Sequence, residues 1–90
     1  MAVKVELGTR FRQFIGNEDD LELQGSTIAD MLDELEERFP KIRGKIRSEA
    51  GQLRQVNIFV NGKNVRTLQG VDTPLQDGDE VSLIPTIGGG

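Results

Sequence analysis

The sequence predicts an α+β fold: one mixed sheet of four to five strands, with one main helix packed across one of its faces. Three observations point there. Apolar residues alternate with polar ones in short runs near the start, after the middle and near the end of the chain, which is the period of a half-buried strand. A single segment, 28–39, carries apolar residues at helical spacing between a cap and a proline. The order is strand, strand, helix, strand, strand, strand, with no repeat or linker, so one helix and one sheet must bury their apolar faces on each other.

The first strand is read from Val3, Val5 and Leu7 alternating with Lys4 and Glu6. Leu21 and Leu23 repeat the pattern after a polar stretch, so the two runs form an opening antiparallel pair joined by residues 8–20, with Phe11 and Phe14 anchoring that loop. Thr27 and Asp30 fit the [ST]-x-x-[DE] capping pattern at the helix start. Ile28, Met31, Leu32, Leu35 and Phe39 mark the buried stripe, with Asp33, Glu34, Glu36 and Glu37 largely off it. Pro40 ends the helix because it lacks an amide donor and restricts Phe39. In residues 41–54, Ile42 and Ile46 are spaced to seat a helical turn. Val56, Ile58 and Val60 then share one strand face, with Phe59 on the other. Asn61-Gly62 follows, the residue pair a type I′ hairpin turn favours because both central positions need positive φ. Residues 63–68 are the expected return strand. After a turn at Asp77-Gly78-Asp79, Val81 and Leu83 alternate with Ser82 and Ile84 up to Pro85.

Composition narrows the function. The chain has 90 residues, enough for one domain and one core. With no cysteine and no histidine it lacks the usual soft and nitrogen metal donors, the commonest nucleophile and the commonest general base. The carboxylates of the helix read as a solvated face rather than a catalytic pair. A net charge of −4 argues against nucleic acid as a partner, and the run from Lys41 to Arg47 reads as a charged surface near a helix end. No stretch has the roughly 20 apolar residues of a membrane span, and the first residues have no secretory core, so the expectation is a cytoplasmic protein with neither membrane nor nucleic-acid partner.

The chain closes on Gly88-Gly89-Gly90. Alone, three glycines fit a frayed or added end as well as a working tail. Their approach is more specific: the runs Val56-Asn57-Ile58-Phe59-Val60-Asn61-Gly62 and Val65-Arg66, then Asp77-Gly78-Asp79-Glu80-Val81-Ser82-Leu83-Ile84-Pro85 before the glycines. This combination resembles the MoaD/ThiS family of sulfur carriers, β-grasp proteins related in fold to ubiquitin. The resemblance covers nearly the whole chain. Within the family it is similar to the CysO type of cysteine biosynthesis, with the molybdopterin-synthase small subunit MoaD next.

The resemblance implies a β-grasp domain over residues 1–85 and a flexible tail over 86–90. It also implies a protein co-substrate rather than an enzyme. The Gly90 carboxylate, ionised at neutral pH, would attack the α-phosphate of ATP held by an activating enzyme, and a sulfur donor would displace AMP to leave a thiocarboxylate. The implied partners are an adenylating and sulfur-transferring enzyme and a sulfur-accepting enzyme, either cysteine synthase-like or the large subunit of molybdopterin synthase. No cofactor is expected on the chain itself; ATP is used by the activating enzyme. The same activated Gly90 would serve a ubiquitin-like modifier joined to lysines, the alternative from another class.

Elementary chemistry suits such a tail. Glycine, without a Cβ, passes a narrow channel and leaves the terminal carbonyl unshielded. Residues 86–90 span at most about 17 Å when extended. Gly89 and Gly90 are thus the expected reacting end, with Thr86, Ile87 and Gly88 in contact with a partner. Phe59 and Ile84 fall on the strand parity opposite the buried one, and are expected to form a docking patch on the open face of the sheet.

Overall fold

The alternation at Val3, Val5 and Leu7 becomes strand β1 (Ala2–Leu7) in a computed structural model that describes residues 2–16 and 21–86. All three side chains are buried while Lys4 and Glu6 are exposed. A single helical turn, α1 (Thr9–Arg12), interrupts the segment expected to be a loop, and it buries Phe11. Phe14 packs against the core from the same segment. Strand β2 (Leu21–Gln24) pairs antiparallel with β1, placing Val3 opposite Leu23.

Helix α2 (Ile28–Arg38) starts where expected: Thr27 Oγ1 accepts from the Asp30 amide at 3.2 Å. Ile28, Met31, Leu32 and Leu35 are fully buried, each contributing about 1.5–3 kcal/mol of apolar burial. The Phe39 amide donates to the Leu35 carbonyl at 2.9 Å, and Pro40 opens a 3₁₀ turn over Pro40–Ile42. Ile42 and Ile46, the pair read as a helical seat, are both fully buried. Arg47 ties this connection back to α2: its Nε donates to Glu36 Oε2 at 2.8 Å and its Nη2 to Glu36 Oε1 at 3.2 Å, with Asp33 as a further partner. The hydrogen bond to Glu36, more than the opposing effect of burial, raises the affinity of this guanidinium for its proton.

Strand β3 (Val56–Val60) enters the two-residue turn at Asn61-Gly62, where φ is 51° and 84°. Strand β4 covers only Lys63–Asn64, shorter than the expected run to residue 68. The physical reason lies in Asn64. Its side-chain carbonyl accepts from the Arg66 amide at 2.9 Å and its backbone carbonyl from Thr67 Oγ1 at 2.7 Å. These local bonds turn the chain into a 3₁₀ segment, Val65–Thr67, that delivers Val65 to the core.

Strand β5 (Glu80–Pro85) completes a five-stranded sheet in the order β2-β1-β5-β3-β4. It is parallel to β1 and antiparallel to β3. The register of β5 is held by the Asp77-Gly78-Asp79 turn. Asp77 Oδ1 accepts from the Ala2 amide at 2.8 Å, and Asp79 Oδ1 accepts from Asn61 Nδ2 at 3.0 Å. Asn61 Oδ1 in turn accepts from the Glu80 amide at 3.0 Å. The turn motif thus joins the start of β1 to the β3–β4 hairpin. Helix α2 covers one face of the sheet, and no helix in the described residues is long and apolar enough to cross a membrane.

Candidate functional site: the root of the tail and the open sheet face

The strand that precedes the glycines in the sequence is the middle one of the sheet, so its C-terminal end is braced from both sides. On one side Pro85 pairs with Val56, and the Thr86 amide donates to the Gln55 carbonyl at 3.0 Å. Gln55 has a φ of 46°, in the left-handed region that non-glycine residues seldom occupy. On the other side the Gly8 amide donates to the Leu83 carbonyl at 2.8 Å. Gly8 is needed there for closeness: a Cβ at that position would lie 2.7 Å from Pro85 Cδ. Thr86, assigned to the tail from sequence, is therefore still bonded to the body. Ile87, Gly88, Gly89 and Gly90, the rest of the expected tail and its reacting end, lie outside the described residues.

Phe59 and Ile84 do share the face that α2 leaves open. Phe59 stands opposite Ser82 and Ile84 opposite Asn57, so the two are diagonal neighbours across the β3–β5 pair. Ile84 is 42% exposed, whereas Phe59 is half-buried and has Asn64 of β4 on its other side. The apolar area they offer is real but smaller than two fully exposed groups would give. The other half of this face is charged, with Lys4, Glu6, Glu22 and Glu80 on β1, β2 and β5. The sequence reading missed Leu68, which is 43% exposed beside the β3–β4 hairpin. Its signal was hidden because residue 68 was assigned to a strand. Among the described residues no three carboxylates converge as a metal site.

This bracing fixes the C-terminal end of β5 and Thr86 against both neighbouring strands. Comparison with known proteins places the chain in a family. The ThiS family profile matches residues 5–90. A putative sulfur carrier protein of Archaeoglobus fulgidus is 38% identical over the full length of both chains, and the sulfur carrier protein CysO of Mycobacterium tuberculosis is 33% identical, again over all of both. Among solved structures, the complex of BexX and CysO from Amycolatopsis orientalis aligns with a TM-score of 0.88 at 31% identity, covering 98% of this chain and 99% of that one. The small archaeal modifier protein 1 of Methanosarcina acetivorans aligns equally well, with a TM-score of 0.88, 31% identity and coverage of 99% and 96%. The chain has the β-grasp, ubiquitin-like fold, and it belongs to the ThiS family.

Proposed function

We propose that this protein is a cytoplasmic sulfur carrier of the CysO kind, working through a thiocarboxylate at Gly90. The observation that carries the reading is the full-length match to sulfur carriers, which runs into the glycine tail. In the proposed cycle a carboxylate oxygen of Gly90 attacks the α-phosphorus of ATP on an activating enzyme and pyrophosphate leaves. Hydrosulfide, or its equivalent on a sulfurtransferase, then attacks the acyl carbon, and AMP leaves with the bonding pair of its oxygen. The product thiocarboxylate is a softer nucleophile than the oxygen acid; its sulfur displaces the leaving group of an activated acceptor on a second enzyme to form a thioester, and hydrolysis of that thioester leaves the sulfur on the acceptor and returns the Gly90 carboxylate. That enzyme is of the cysteine-synthase type in the first reading and the large subunit of molybdopterin synthase in the second. The chain is a co-substrate in these steps. Phe59 and Ile84 hold the body on the partner while the segment beyond Thr86 enters its site.

The test is intact-protein mass after incubation with ATP, the cognate adenylating enzyme and sulfide. Exchange of one terminal oxygen for sulfur is expected. Deleting Gly90, or adding a residue after it, should abolish the exchange and leave the melting temperature unchanged, because the core ends with β5. Normal adenylation of the extended chain would refute the reading. Likeness to an archaeal modifier favours a second use, in which lysine amines of other proteins attack the same adenylate-derived acyl group. Conjugates that survive denaturant and carry an isopeptide bond would identify it.

A further inference from the structure

The charge of the chain is strongly uneven around the root of the tail. Segments 8–16, 40–47 and 83–86, with Arg54, contain Arg10, Arg12, Lys41, Arg43, Lys45, Arg47 and Arg54 and no aspartate or glutamate, although the chain as a whole carries 15 acids against 11 bases; the one acid between Arg47 and Arg54 is the exposed Glu49. Glu18, Asp19 and Asp20, which follow the first segment, lie outside the described residues. Arg47 is taken up by Glu36 and Asp33 on α2. Arg10, Lys45 and Arg54 are brought together by the fold. Lys45 Nζ lies 5.6 Å from the centre of the Phe14 ring, bringing residues 41–47 onto the α1 segment. The Arg54 amide donates to the Ile46 carbonyl at 2.7 Å, which places Arg54 beside them and next to Gln55, the residue that holds Thr86. A groove of about 190 Å³ runs between these parts, lined by Arg10, Phe11, Gln13, Phe14, Lys45, Gln55 and Pro85, and among the described residues no carboxylate lines it.

We propose that this cationic collar is a docking surface for an acidic patch at the mouth of the site that receives the tail, on the partner enzyme; the identity of that partner rests on the carrier reading above. Charge complementarity selects the occupant. Arg10, Lys45 and Arg54 are exposed, and the Phe14 face in the groove gives an aliphatic or aromatic rim residue a place to sit. The outer side of α2 bears Asp30, Asp33, Glu34 and Glu37, so the molecule has a positive end and a negative side. An acidic mouth orients it tail-first before any contact forms. A nucleic acid would meet the same collar but be repelled by the rest of a chain of net charge −4. The collar thus acts on the rate and orientation of encounter, and the apolar pair on the open sheet face acts on how long the complex lasts.

The experiment compares association with the adenylating enzyme at low and physiological salt for three full-length proteins: wild type, Arg10→Glu/Lys45→Glu, and Lys63→Glu/Arg66→Glu. Both variants change net charge equally, but the second lies at the hairpin end of β3, away from Pro85. All four residues are exposed, and melting curves verify folding. The collar variant should associate about tenfold more slowly at low salt and lose most of its salt dependence, with the control within about twofold of wild type. Equal slowing of both variants, or of neither, would overturn the collar while leaving wild-type adenylation, read in the same assay, to uphold the carrier reading. Absence of wild-type adenylation would overturn that reading and the partner with it. Tight binding of wild type to a short oligonucleotide at physiological salt, lost in the collar variant, would overturn the choice of a protein partner.

Discussion

Replacing Gly8 with alanine should destabilise the domain and disturb the tail root, although the backbone there tolerates any residue. Gly8 has φ −59° and ψ 158°, so alanine meets no torsional penalty. The difficulty is space: the new Cβ would lie 2.7 Å from Pro85 Cδ and 3.4 Å from the Leu83 carbonyl oxygen. A flexible side chain would rotate away, but the proline ring is tied to its own backbone nitrogen, so relief requires moving the end of β5 or stretching the 2.8 Å bond from the Gly8 amide to Leu83. Overpacking of this kind costs about 1–3 kcal/mol, and the lower entropy of alanine in the unfolded chain returns about 0.4–1 kcal/mol. The net is about 1–2 kcal/mol, which for a domain of this size lowers the melting temperature by about 5–15 °C. Calorimetry on Gly8→Ala, Pro85→Ala and the double variant closes the cycle, and the double variant should lose less than the sum of the two singles because the ring is gone. A Gly8→Ala protein that melts at or above wild type, or singles that simply add, would refute the argument that Gly8 is required for closeness.

Phe59→Ser should leave the fold intact and weaken binding to the activating or accepting enzyme by about 5–30-fold, the equivalent of about 1–2 kcal/mol of apolar burial; titration calorimetry with unchanged affinity would remove Phe59 from the docking face. Arg47→Ala should cost about 1.5–3 kcal/mol in chemical denaturation, because it leaves Glu36, whose side chain is only 16% exposed, without its paired donors. Arg47→Lys should recover part of that loss, since one ammonium cannot span both carboxylate oxygens as the guanidinium does. Gly89→Val should slow thiocarboxylation more than Gly88→Ala, since a β-branched residue restricts the backbone nearer the reacting carbonyl; equal rates with a matched activating enzyme would argue against a narrow channel at that point.

Much of this architecture is legible in the sequence because its signals are local. The alternation of Val56, Ile58 and Val60, the Thr27 cap and the Asn61-Gly62 turn each act over a few residues, and each stands where it was read. The face on which Phe59 and Ile84 sit follows from the same parity. What escapes is decided by competition or by distance. Asn64 bends the chain with its own side chain, so a sequence of good strand formers around Val65 becomes a 3₁₀ turn. Thr9–Arg12 forms a helical turn with one buried residue, too short for any period to register. The collar is assembled from segments that meet only in the fold, so Lys41 to Arg47, read as an ordinary charged surface near a helix end, gains meaning when Lys45 is found over Phe14.

The strand that carries the tail is flanked on both sides, by β1 and by β3. A partner that draws the glycines into its site therefore pulls along the central strand rather than peeling an edge. The ladder bonds between β3 and β5 lie across the direction of that pull and are loaded together in shear, so no single bond can open first and let the rest follow. Under the proposed carrier reading, the same placement sets the load of each such encounter on the whole width of the sheet rather than on one edge.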